Sequence, residues 1–163
     1  MITRFERVLL GIAIGAAGLT GLALAWVKHV TLSRDPFSVM NSPWQPFLLA
    51  SHVLVVPALL FAVGLITREH ILGRYRDSKA RRGRKTGIVL AWVLPPLVAS
   101  GYGIQVLTSR SARDLTGWLH LSIGIIFLAV YGVHALGGQR VREGAWRGKQ
   151  AGKEASKRPG VAL

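Results

Sequence analysis

Four apolar blocks of about twenty residues alternate with short polar, mostly basic stretches along the chain. They fall at residues 8–27, 46–66, 86–108 and 117–136, each long enough to cross a hydrocarbon layer as a helix. The pattern predicts an all-α fold, an integral membrane four-helix bundle over residues 1–138, followed by a basic tail over 139–163. The stretch "SRSARDL" between the last two blocks is short, so those two spans should be antiparallel neighbours. The tail is rich in Gly and Lys and has the composition of a disordered or partner-bound segment. Pro57, Pro95 and Pro96 lie inside apolar blocks and should kink their helices by removing backbone hydrogen bonds.

Charge refines this picture. The chain carries 21 Lys and Arg against 7 Asp and Glu over 163 residues. In a soluble protein that excess would suggest nucleic acid. Here it is segregated from the apolar blocks, which is the distribution of a lipid-embedded protein with basic loops and no nucleic-acid partner. With an even number of spans, the N-terminus, the loop between spans 2 and 3 and the tail share one side. All basic residues except Lys28, Arg34, Arg110 and Arg113 fall there. The positive-inside rule then puts both termini in the cytoplasm. The first block resembles a signal peptide in its flanking Arg4 and Arg7, but its apolar run is longer than a usual signal core, so it is read as span 1. The chain has no cysteine. That excludes disulfides, iron–sulfur clusters, thiolate-ligated haem and c-type haem attachment.

The chemistry lies in the histidines. His120 and His134 are fourteen residues apart in span 4, and His52 and His70 eighteen apart at span 2 and its inner end. At about 100° per residue each couple returns to nearly one helix face. Spans 2 and 4 run in the same direction, so His52 and His120 share the outer depth, and His70 and His134 the inner one. Ionisable groups inside spans need partners and mark function. Two facing imidazoles at each of two depths fit bis-histidine ligation of haem iron within a helical bundle. The rises differ, about 27 Å against about 21 Å, leaving roughly 6 Å for helix tilt, the Pro57 kink or a tilted macrocycle to absorb. Zinc or copper fits less well, since each depth offers only two ligands. His29 has no counterpart and is read as interfacial. Gly87 and Gly101, also fourteen apart, present bare backbone at two depths of span 3. Gly11, Gly15, Gly18 and Gly21 do so on span 1. Such backbone suits a flat macrocycle or close helix packing.

The segments "RFERVLLGIAIGAAGLTGLAL", "SGYGIQ" and "GWLHLSIGIIFLAVYGVHAL" resemble small four-helix b-type cytochromes, the membrane subunits of respiratory formate dehydrogenases and nickel–iron hydrogenases. The resemblance spans roughly residues 4–138. It implies two non-covalent b haems with His52, His120, His70 and His134 as axial ligands. It also implies electron transfer between quinone or quinol and a peripheral redox subunit of cytochrome c or iron–sulfur type, in a bacterial or archaeal cytoplasmic membrane. Many such subunits open span 1 with an Arg…His-Trp motif. Here that stretch reads "RFERVLL", so the ligands would come from spans 2 and 4 alone.

Haem propionates need cationic or polar anchors. The candidates are Arg34, Arg110 and Arg113 outside, and Arg68, Arg74, Lys85 and Arg140 inside. Tyr102, Gln105 and Ser109 could line an outer quinone pocket, and Glu69 or Asp77 could handle protons inside. The outward loop, with Trp44 and "DPFSVMNSPWQP", suits protein contact. The alternative expectation is a cofactor-free anchor or assembly subunit of a larger complex.

Overall fold

A computed structural model describes residues 2–31, 40–76 and 83–157. Among them every regular element is helical. Helix α1 covers Arg4–His29 and α2 Gln45–Ile66, the latter running on through a π-helical stretch, Thr67–Leu72, into α3, Gly73–Arg76. Helix α4 covers Arg84–Val106 and α5 Arg110–Lys157. Four helices, with bounds Arg4–His29, Gln45–Leu72, Arg84–Val106 and Arg110–Gly138, are long and apolar enough to cross a membrane. The chain has the character of a multi-pass membrane protein.

Local chemistry sets the helix ends. Thr3 Oγ1 accepts from the Glu6 backbone N–H at 3.1 Å, and the Glu6 carboxylate accepts from the Thr3 N–H at 2.7 Å. This reciprocal box satisfies two of the orphan donors that open α1. Pro46 sits in the first turn of α2, where its missing N–H costs nothing. Gly83 opens α4 with φ 71°, a left-handed conformation that side chains disfavour. Pro57, Pro95 and Pro96 are accommodated within continuous helices.

Three features differ from the pattern expected of the sequence. The polar stretch after residue 66 is helical as far as Arg76, past the expected end of the second span, and its first part is π-helical with His70 inside it. The connection between α4 and α5 is only three residues, 107–109, because α5 takes in most of "SRSARDL". Finally, residues 139–157, whose composition reads as disordered or partner-bound, continue α5 without a break at 138. Extending a formed helix avoids the nucleation cost, and the segment's Ala, Lys, Arg, Glu and Gln are good helix formers.

Helix α1 packs along α2, and α4 along α5, and the two hairpins meet where α1 touches α5 and where α4 touches the π-helical stretch and α3. Ala13, Ile14, Leu59, Ala62 and Phe127 form the buried core, with Leu94, Leu97, Leu128 and Tyr131 against it. Phe127 lies seven residues from both His120 and His134, so this apolar plug falls between the two histidine depths. Outward positions are apolar too: Leu54, Trp92 and Val106 are 75%, 76% and 74% exposed. No polar residue is buried among the described residues. A surface of this kind suits lipid contact.

Candidate cofactor site

The two histidine-bearing helices are held apart. Among the described residues, no Cα of α2 or its π-helical extension comes within 8 Å of a Cα of α5. Imidazoles bridge this gap at both depths. The His52 and His120 rings stand 6.2 Å apart between centres with planes at 79°, and His70 and His134 stand 6.2 Å apart at 73°. A metal-ligating imidazole nitrogen lies about 2 Å from its metal, and the ring centre about 1 Å further back. Two imidazoles on opposite sides of one ion therefore hold their centres about 6 Å apart. Edge-to-face packing of two rings gives similar separations, so distance alone does not choose.

The hydrogen bonds add a second observation. Thr20 Oγ1 donates its one hydrogen to the Ala16 carbonyl at 2.7 Å, and His52 Nδ1 lies 3.1 Å from the same oxygen. A hydroxyl whose hydrogen lies on that carbonyl is an acceptor, which suits an Nδ1–H on His52. His120 Nδ1 lies 3.0 Å from the Leu97 carbonyl, an acceptor only, and 3.1 Å from Ser100 Oγ. His134 Nδ1 lies 2.8 Å from Thr86 Oγ1, which donates to the Gly83 carbonyl at 3.1 Å. In each of these three rings Nδ1 faces an oxygen, the arrangement that suits an Nδ1–H tautomer. A hydrogen-bond acceptor on the far nitrogen is the usual way a metal-binding histidine is oriented.

Glycines make the approach possible. A Cβ on Gly21 would lie 2.9 Å from His52 Cε1, and one on Gly101 3.0 Å from His120 Cε1. On Gly87 it would lie 3.5 Å from His134 Cε1, and on Gly83 3.6 Å from the same atom. The bare backbone of Gly87 and Gly101 therefore admits the imidazoles themselves. Among the described residues no group of three or more His, Cys, Asp or Glu could hold a metal ion. Each site is a two-ligand pair, which suits an ion whose other donors come from a macrocycle. The donor set, the oxygens facing Nδ1 and the glycine clearances all fit a bis-imidazole haem.

The π-helical stretch explains how unequal spacings reach equal ring separations. A wider turn, closed by i→i+5 bonds, advances less per residue and swings His70 to a new azimuth. It removes part of the surplus rise that the eighteen-residue spacing carries over the fourteen-residue one.

The other candidates are less concentrated. Arg110 and Arg113 are exposed at the start of α5, and Arg68 and Glu69 are exposed in the π-helical stretch. Lys85 is exposed in the first turn of α4. Tyr102, Gln105 and Ser109 are exposed, and Gln105 Nε2 reaches only its own helix, at the Gly101 carbonyl, 3.5 Å away. Arg34 and Asp77 lie outside the described residues, as do the side chains of Arg74 and Arg140. His29 has a ring partner that spacing does not foretell: Trp118 of α5, at 4.4 Å between centres. Thr20, Thr86 and Ser100 were not among the expected site residues. Their sequence signal is a hydroxyl residue directly before a glycine, inside an apolar span.

Comparison with protein-family models, with curated proteins and with solved structures finds no match.

Proposed function

We propose that this chain carries electrons across a membrane through two non-covalent b-type haems, between quinone or quinol and a partner redox subunit. The reading is supported above all by one observation. Two histidine pairs share a 6.2 Å ring separation, across a gap between helices that make no close backbone contact. His52 and His120 would hold one haem and His70 and His134 the other. A bis-imidazole haem supplies a one-electron couple with no open position for oxygen chemistry. The chain's own part is to fix the four imidazoles and exclude water with apolar helix faces. The plug around Phe127 keeps the two depths apart, about 21 Å along α5. Exposed Arg110, Arg113 and Arg68 offer cations at the span ends for propionates.

The basic residues favour cytoplasmic termini in a bacterial or archaeal cytoplasmic membrane. The redox partner then docks on the outward loop carrying Trp44, which is exposed and stacks edge-on with Phe47 at 6.3 Å. A pyridine haemochrome assay on the purified full chain tests the reading. Two haems per chain are expected, one would remove the His70–His134 site, and none would overturn the proposal. Crosslinking in native membranes tests the partner side, and contacts confined to residues 67–85 and 139–163 would move it to the cytoplasm.

A further inference from the structure

Three of the four histidines are met by the same dipeptide. Thr20–Gly21 of α1 faces His52, while Ser100–Gly101 and Thr86–Gly87 of α4 face His120 and His134. In each case the hydroxyl lies 2.8–3.1 Å from Nδ1, and the atom nearest the glycine is Cε1. Each hydroxyl also donates back to a carbonyl three or four residues earlier, at 2.7 Å from Thr20, 2.9 Å from Ser100 and 3.1 Å from Thr86. That back-bond is an ordinary resting place for Ser and Thr in a helix. A hydroxyl so engaged presents the imidazole with an acceptor.

We infer that each dipeptide is a holder for one imidazole, in which the hydroxyl is a positioning residue that sets the ring's tautomer and rotation while the glycine admits its Cε1 edge. Two adjacent ring atoms are gripped, so the ring can neither flip nor spin about its Cβ–Cγ bond. The near-perpendicular planes, 79° and 73°, are then built by helices α1 and α4 behind the ligand helices. The redox consequence rests on the di-haem reading, whereas the tautomer is a property of the chain without haem. An Nδ1–H donated to an acceptor raises the basicity of Nε2 and so favours ferric over ferrous iron.

Two of the holders are backed by main chain. His120 has the Leu97 carbonyl as a second acceptor at 3.0 Å and His52 has the Ala17 carbonyl, so Ser100→Ala and Thr20→Val should each leave part of the ring's anchoring in place. Both variants should act on the His52–His120 haem alone, and Thr86→Val on the His70–His134 haem alone.

The test has two arms on the full chain in detergent. In haem-free protein carrying 15N-histidine, the imidazole nitrogen shifts of His52, His120 and His134 should report Nδ1–H, and Nε2–H there would overturn the inference. In haem-loaded protein, Thr20→Val should raise one midpoint potential by about the equivalent of a tenfold change in relative affinity, 59 mV for a one-electron couple. The largest g value of the ferric signal, which reports the angle between imidazole planes, should move with it. Thr20→Ser and Thr86→Ser keep the hydroxyl and should restore wild-type potential and g value. Serine variants that behave like the valine variants, or valine variants that move neither readout, would refute the holder. A wild-type chain that takes up no haem would overturn the proposed function, and the nitrogen shifts would still decide the tautomer.

Discussion

Replacing Gly21 by alanine tests how closely the imidazole is fitted to its neighbour helix. The new methyl carbon would sit 2.9 Å from His52 Cε1 and 3.3 Å from Nδ1. Ordinary carbon–carbon contact begins near 3.5 Å, so the ring must retreat by roughly 0.6 Å. Ligand distances tolerate only about 0.2 Å. Overpacking of this degree costs about 1–3 kcal/mol. Alanine's higher helix propensity, worth about 1 kcal/mol, helps the fold with and without haem alike and cancels in the affinity. The His52–His120 site should therefore bind haem about 5- to 150-fold more weakly. Gly101→Ala, with a 3.0 Å approach to His120 Cε1, should behave similarly, and Gly87→Ala, at 3.5 Å, should lose much less. Gly15 has open space around it, so Gly15→Ala serves as the neutral control. Haem titration followed by redox difference spectra measures each site separately. Wild-type affinity in Gly21→Ala, or an equal loss in Gly87→Ala, would refute the fitted-ring reasoning.

Further outcomes follow from the same geometry. His120→Ala should abolish one haem and spare the other, and His134→Ala should do the reverse; loss of both in either folded variant would contradict independent sites. His29→Ala should leave both haem spectra unchanged while costing the Trp118 contact, about 0.5–1.5 kcal/mol, readable as a lower melting temperature in detergent. Phe127→Ala empties the centre of the plug between the two depths and should cost about 3–5 kcal/mol, seen as a fall in thermal stability shared by both haem sites.

Helix number and the facing of the histidines are legible in the sequence because both depend on local quantities. Apolar run length marks the spans, and a 3.6-residue period fixes azimuth whatever the partner. The ends of helices are less legible. A helix does not stop where apolarity stops, so α1 reaches out to Arg4 and His29, and α5 runs to Lys157. The π-helical stretch is not legible at all, since "TREHIL" carries no residue that demands an i→i+5 bond. The hydroxyls lay beyond reach for another reason. Thr20 and His52 meet only because α1 lies along α2, and no period within one helix encodes that register. The glycines were visible as a spacing, but their use against imidazole edges depended on the same register.

Helix α5 gives the two sites an unequal mechanical footing. His120 and His134 sit on one uninterrupted rod of 48 residues whose far end projects well past the last apolar turn. A push or twist applied near Trp146 travels along that rod and reaches His134 before His120. The opposing ligands have no such common shaft, because a wide turn separates His70 from the regular helix that carries His52. That turn holds i→i+5 bonds between two stretches of ordinary helix, so His70 sits in a different hydrogen-bond register from His52. A load on the tail therefore meets the His70–His134 pair first and the His52–His120 pair last.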